Sequence, residues 1–293
     1  MKILAIVVTY NGHEWVDYCL SNLLKSKVPV DIMCIDNNSS DDTVSLIKDK
    51  YRNIQLIQSD HNLGFGKANN IGLKKCIDEN YDYAFLLNQD AKIEIDTISK
   101  LISIHKKHPQ YGILSPIHRS KENNILDYNF SNYLQSNNTP GLIDDFILGN
   151  KIKEVYDTNF VNAALWLITK DCLQNTRFFD PIFPHYGEDD DFIFRTIKSG
   201  IKVGIVPSAL GNHARYKVQH TAKKEDFNSI KSRAYVSLLL NYKKNEYTKR
   251  KREFLYFRKF LIAIISDLIM LDPANLKKNI YIYMKLLRNI NKI

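Results

Sequence analysis

Three hydrophobic runs in this chain stop abruptly at polar clusters, and the segments between them alternate in a way that few folds can accommodate. ILAIVV ends in Thr9-Tyr10-Asn11, VDIMCI in Asp36-Asn37-Asn38, and YAFLL in Asn88-Gln89-Asp90. Strand-like runs at about 2–10, 30–36, 54–59, 82–88 and 111–117 alternate with segments near 13–26, 41–51, 65–79 and 96–108 that are long enough for helices. Such alternation with short connections predicts βαβ units and a parallel sheet. The carboxyl ends of parallel strands share one edge, and ligands bind in the crevice outside it. An acidic knot, Glu188-Asp189-Asp190-Asp191, follows later in the chain. The clusters together predict one pocket whose carboxylates suit a divalent cation and a phosphate-bearing ligand.

The pattern breaks over 118–156, which is rich in Asn and Ser and contains Pro140-Gly141. An excursion of this length is usually a functional or flexible loop. Regularity returns over 158–170, followed by the aromatic loop FFDPIFPHYG and a strand, IKVGIVP, ending near Ser208. From about 226 the chain reads as helical. A body over 1–225 and a basic extension over 226–293 are therefore expected.

The net charge of +9 is concentrated in that extension, where Lys243, Lys244, Lys249, Arg250, Lys251, Arg252, Arg258 and Lys259 cluster. Basic residues beside an amphipathic helix point to peripheral contact with an anionic membrane through 243–293. The alternatives are packing on the body or a homodimer. Nucleic acid is not an expected partner, because the tail lacks a recognisable reading module. The four cysteines form no CxxC pair and fit a reduced compartment. The first apolar run reads as a strand rather than a signal peptide, and no stretch of eighteen apolar residues occurs. A cytoplasmic location, peripheral at the inner face of the membrane, is expected.

Several residues could carry chemistry. Asp90 at a strand end is a natural cation ligand, since Mg²⁺ takes one or two protein carboxylates and fills its shell with phosphate and water. The plainer reading is a turn or a helix cap. His213, after another strand end, is a candidate second ligand that suits Mn²⁺ better than Mg²⁺. Four adjacent carboxylates raise one another's pKa, which suits Glu188 or Asp189 to a general base near neutrality. They also suit a helix N-terminus, and Asp191 with Arg195 has the i,i+4 spacing of a structural ion pair. The glycine-rich stretch Asn62–Gly72 imitates a dinucleotide loop but fails the GxGxxG spacing.

With these positions in hand, the chain resembles family 2 glycosyltransferases of the GT-A fold, particularly bacterial rhamnosyltransferase-like members. The matching stretches are VVTYNG, IDNNSSDDT, NLGFGKANNIG, LLNQDA, NAALWLITKDC and GEDDDFIFR, in the family's order. The resemblance implies a Rossmann-like, mostly parallel central sheet flanked by helices, followed by the helical C-terminal extension. It implies that Thr9, Tyr10 and Asn11 border the nucleotide, that Asp36 hydrogen-bonds a uracil or thymine ring, and that Gly64 and Asn70 close that pocket. Asp90 matches the last Asp of the family's metal-binding motif, and Asn88 stands at its first position. Asp189 would be the catalytic base with Glu188 supporting it, and His213 would complete the coordination of Mn²⁺ or Mg²⁺. Trp166 and the aromatic loop would wall the sugar pocket, although Trp166 also reads as core. The implied reaction is inverting transfer from a UDP- or dTDP-sugar to a glycan or lipid-linked acceptor in surface polysaccharide synthesis. The alternative is a non-catalytic nucleotide-sugar-binding subunit.

Overall fold

The computed structural model of the protein describes residues 1–122, 125–183, 186–214, 227–244 and 247–289, with backbone alone over 227–233. Two compact units emerge, one of residues 1–181 and 188–217, the other of 182–187 and 218–293.

The first unit begins with β1 (Ile3–Thr9), α1 (His13–Leu23), β2 (Asp31–Asp36), α2 (Thr43–Lys50), β3 (Gln55–Gln58), α3 (Phe65–Asp78) and β4 (Tyr83–Asn88). It continues through β5 (Ala91–Ile93), α4 (Thr97–Lys107), β6 (Tyr111–Arg119), α5 (Tyr128–Tyr133), α6 (Leu142–Leu148) and β7 (Tyr156–Asp157). It closes with β8 (Leu165–Thr169), α7 (Lys170–Thr176), α8 (Glu188–Lys198) and β9 (Lys202–His213). The strand order is β3-β2-β1-β4-β8-β6-β9-β5, with β7 also paired to β9. β3, β2, β1 and β4 run parallel, as do β6 and β9, whereas β8 lies antiparallel between β4 and β6.

Continuous apolar runs are what a sheet covered on both faces requires. In β1, Ile3, Ala5 and Val7 enter one core with Val16 and Leu20 of α1 and Leu101 of α4. Leu4 and Ile6 enter the other, with Leu73 of α3 and Phe192 of α8. The period of two along the strand thus separates two helical layers.

The structure extends the sequence reading in two places. The expected break after Asn88 holds a short strand, β5, paired antiparallel to β9 with Ala91 opposite His213. β9 does not end near Ser208: it passes an irregularity where Val206 faces Pro116 and Leu210 faces Ile117, then runs to His213. A bulge of this kind re-aims the strand and the side chains beyond it.

The second unit contains α9 (Phe227–Lys244), α10 (Lys249–Ile269) and α11 (Pro273–Asn289). Its core joins Tyr235, Leu239, Tyr242, Tyr256, Ile282 and Leu286 with Phe183 of the aromatic loop. Among the described residues, no helix is long and apolar enough to cross a membrane.

Candidate functional site

At the end of β1, Thr9 donates its hydroxyl to Asp36 Oδ1 at 2.9 Å. Asp36 also accepts from the Ser39 backbone N–H at 2.9 Å and from the Ser39 hydroxyl. Asp36 is only 1% exposed, so the structure commits its carboxylate to the loop. Asn11, in the left-handed region with φ 44°, accepts from the Ser40 N–H at 2.8 Å and ties the β1 end to the β2 end. Tyr10 is half-exposed, and its backbone exchanges two hydrogen bonds with the Gln89 side chain.

Gly64 opens α3 at φ 80°, a conformation available to glycine without strain. Its carbonyl accepts from Asn37 Nδ2 at 3.3 Å, which brings the start of α3 to the end of β2. Asn70 pairs with the backbone of the aromatic loop. Its amide donates to the Phe179 carbonyl at 2.8 Å and accepts the Phe179 N–H at 2.9 Å. It clamps α3 to the aromatic loop.

The end of β4 meets the end of β9. His213 Nε2 lies 3.3 Å from Asp90 Oδ1 and 3.3 Å from Asn88 Nδ2. The Ala214 N–H donates to the Asp90 carbonyl at 2.8 Å and locks the register. One carboxylate and one imidazole on a shared edge fit a divalent cation that draws its other ligands from phosphate and water. No cluster of three or more ligating side chains occurs among the described residues.

α8 places the acidic knot. Asp191 is buried and accepts from Arg195 Nε at 2.8 Å, while Arg195 also donates to the Thr176 and Phe178 carbonyls, so this pair is structural. Glu188 is 5% exposed, and its Oε2 has no hydrogen-bond partner among the described residues. Burial, helped by the charge on Asp189, pushes its carboxyl up to about 7. Asp189 is only partly buried. Burial and the neighbouring Asp190 push it up to about 6, against hydrogen bonds that include the Ala163 N–H. The next carbonyl, Ala164 O, accepts from the Asn88 N–H at 3.0 Å, so one short segment links Asp189 to the end of β4.

Trp166 is fully buried between Phe179 and Phe192, with ring centroids 6.2 and 5.9 Å away. A ring without exposed surface does not wall a sugar pocket, so the core reading of Trp166 holds. Of the aromatic loop, Phe179 and Phe183 are buried, Tyr186 is exposed, and Pro184 and His185 lie outside the described residues. A further residue joins the site that sequence reading did not single out. Asp127, in the loop before α5, lies 3.9 Å from His213 Nδ1.

Among curated relatives, the poly-beta-1,6-N-acetyl-D-glucosamine synthase of Staphylococcus epidermidis is 32% identical over 113 residues, 38% of this chain and 27% of that protein. The N-acetylglucosaminyl-diphospho-decaprenol L-rhamnosyltransferase of Mycobacterium tuberculosis is 25% identical over 132 residues, 41% of this chain and 42% of that protein. The chain thus spans well under two thirds of these relatives' length. Among solved structures, residues 1–349 of TarS from S. aureus in complex with UDP-GlcNAc align with a TM-score of 0.61 at 16% identity, covering 96% of this chain and 79% of that one. The mannosyltransferase PcManGT from Pyrobaculum calidifontis, in complex with GDP-Man and Mn²⁺, aligns at 0.60 and 16%, covering 98% and 75%. These likenesses carry the fold, which is GT-A. The family model for glycosyl transferase family 2 matches residues 4–165, from the first strand to the start of β8, and the chain belongs to that family.

Proposed function

We propose that the chain catalyses inverting, metal-dependent transfer of a hexosyl or rhamnosyl group from a UDP- or dTDP-sugar to a hydroxyl of a glycan or lipid-linked acceptor. The observation that carries this reading is the meeting of Asp90 and His213 on the sheet edge to which Asp189 is also tied. Asp90 and His213 would hold Mn²⁺ or Mg²⁺. Bound there, the cation would offset negative charge growing on the departing diphosphate. Thr9, Tyr10 and Asn11 would border the nucleotide, with Asp36 and Gly64 shaping the loops around its base. Asn88 would support the diphosphate side of the pocket.

Asp189 is proposed as the base. Its carboxyl is pushed up to about 6, which leaves it ionised near neutrality yet basic enough to take a proton from an attacking hydroxyl. Attack on the face opposite the leaving diphosphate inverts the anomeric carbon. Glu188 is more deeply buried and would support Asp189 rather than meet the acceptor. Incubation with a panel of UDP- and dTDP-sugars and simple acceptors, with and without Mn²⁺, tests the reading. Release of nucleoside diphosphate with an inverted glycoside, read by NMR, is expected. Tight donor binding without hydrolysis or transfer would establish the non-catalytic alternative.

The extension supports a peripheral membrane reading. Along α10, Phe254, Phe257, Leu261, Ile265 and Leu268 form an exposed apolar row at helical spacing. Exposed Lys249, Arg250, Lys251 and Arg258 lie on the same helix and complement anionic headgroups. Co-sedimentation with anionic vesicles should weaken on deletion of 243–293, and unchanged sedimentation would reject this part.

A further inference from the structure

Gln89 stands between Asn88 and Asp90, and its side chain reaches the end of β1. Its Oε1 accepts the Tyr10 N–H at 2.9 Å, and its Nε2 donates to the Tyr10 carbonyl at 3.1 Å. β1 and β4 pair in parallel as far as Val8 and Asn88, so the amide takes over where the ladder stops. A side-chain amide suits this task because it offers an acceptor and a donor to one residue, whereas a carboxylate only accepts. Gly12 makes the room. A Cβ there would stand 2.7 Å from Gln89 Cδ and closer still to Oε1. The φ of Gly12 is −108°, outside the left-handed region, so glycine supplies space at this position rather than conformation.

The remainder of that loop is tied elsewhere. The N–H groups of Asn11, Gly12 and His13 donate to Ser39 Oγ, Thr43 Oγ1 and Asp41 Oδ2 at 2.9, 2.8 and 3.1 Å. These acceptors lie between the end of β2 and the first residue of α2, so they hold the loop without Gln89. The Gln89 bonds do a different job: they set how far the loop stands from Asp90. A nucleoside diphosphate with its cation must touch both places, while a nucleoside touches one. We propose that Gln89 is a positioning residue that fixes the span from the nucleoside loop to the cation edge, with Gly12 leaving space for its amide. The inference rests on the donor and metal assignments proposed above. Without the amide the span varies, and a bridging ligand binds in proportion to the fraction of molecules that hold the right spacing. Two ordinary hydrogen bonds, partly open to solvent, are worth about tenfold in that fraction.

The test compares a ligand that spans both places with one that does not. On full-length protein with Mn²⁺ present, calorimetry gives the affinity for UDP and ligand-observed NMR gives that for uridine. The pair dTDP and thymidine is measured alongside and replaces them where it binds more tightly. Gln89→Ala should weaken UDP about tenfold and leave uridine within about twofold of wild type. Gly12→Ala, which expels the amide while Gln89 stays in the chain, should do the same and serves if Gln89→Ala does not fold. The double variant should bind UDP no more weakly than either single one, because both substitutions remove one contact. Equal losses for UDP and uridine overturn the inference, since they mark a loop that has only loosened. So do unchanged UDP affinity in the folded single variants and losses that add in the double variant. Wild type that binds neither pair, or binds UDP no more tightly than uridine, instead overturns the donor and metal assignments, and the inference falls with them.

Discussion

Glu188→Gln should make the protein more stable and less active, and the stability gain should depend on pH in a defined direction. Glu188 ionises ordinarily at 4.5, and in the fold it is pushed up to about 7 by burial and by the charge of Asp189. Between these values the native state keeps a proton that the unfolded chain has lost. Stability therefore falls as pH rises through this window, and the full penalty is present above it. At about 1.4 kcal/mol per pKa unit the span corresponds to about 3 kcal/mol, an upper bound. Glutamine removes the ionisation and leaves one buried amide group to satisfy, which returns about 1 kcal/mol of the gain. A net gain of about 1–3 kcal/mol is expected at pH 8, or a rise on the order of 2–8 °C in melting temperature, turning to a loss of about 1 kcal/mol at about pH 4.5, where only the amide cost remains. Thermal melts of both proteins across pH 4.5–8.5, followed by circular dichroism, check this. Parallel melting curves at every pH, or a lower melting temperature for the variant at pH 8, would refute the claim that the native fold strains this carboxylate.

Three further substitutions sort structural from chemical roles. Asp189→Asn should lower the rate of transfer by about 10²–10⁴ with little change in donor affinity, measured by steady-state kinetics; unchanged turnover would remove it as the base. Arg195→Ala should destabilise the fold by about 3–5 kcal/mol in urea denaturation, because it leaves Asp191 buried without its cation. Asn70→Ala should cost about 1–3 kcal/mol, since the two hydrogen bonds to the Phe179 backbone disappear. Its affinity for UDP, measured by calorimetry on the folded protein, should stay close to wild type.

The parts of the fold that could be read early were those encoded locally. β1, β2 and β4 are continuous apolar runs ending at polar clusters, and their ends fall where the hydrophobicity stops. The Asp191–Arg195 pair was legible because its partners are four residues apart on one helix. β5 has three residues, too few to show a period, and the Pro207-Ser208 step hid the continuation of β9 beyond its bulge. The clamp of Asn70 on Phe179 was not legible, because the partner is 109 positions away and nothing in the surrounding sequence announces it. Trp166 sits in an apolar run that fits a core strand or a pocket wall, and only the packing of Phe179 and Phe192 decides between them. Asp127 lay within a stretch read as an irregular excursion, where a buried carboxylate has no sequence signature.

The feature that makes the site a single object is the return of β9 against β5, and one glycine controls it. Gly211 pairs with Ile93, two residues before the point where His213 pairs with Ala91. A Cβ at 211 would stand 2.4 Å from Leu165 Cδ2 and 3.2 Å from the Lys92 carbonyl oxygen. Leucine can rotate away, but the carbonyl belongs to β5, the strand that directly follows Asp90, so relief comes by parting β5 from β9. Overpacking of this kind costs about 1–3 kcal/mol, which a domain of this size can survive. The larger consequence is geometric: parting the strands separates Asp90 Oδ1 from His213 Nε2, now 3.3 Å apart. Gly211→Ala should therefore remain folded by circular dichroism while its Mn²⁺ affinity in the presence of UDP drops at least about tenfold, as misplaced ligand shells do. A folded Gly211→Ala that binds Mn²⁺ as tightly as wild type would mean that the β5–β9 register does not set the spacing of these two groups.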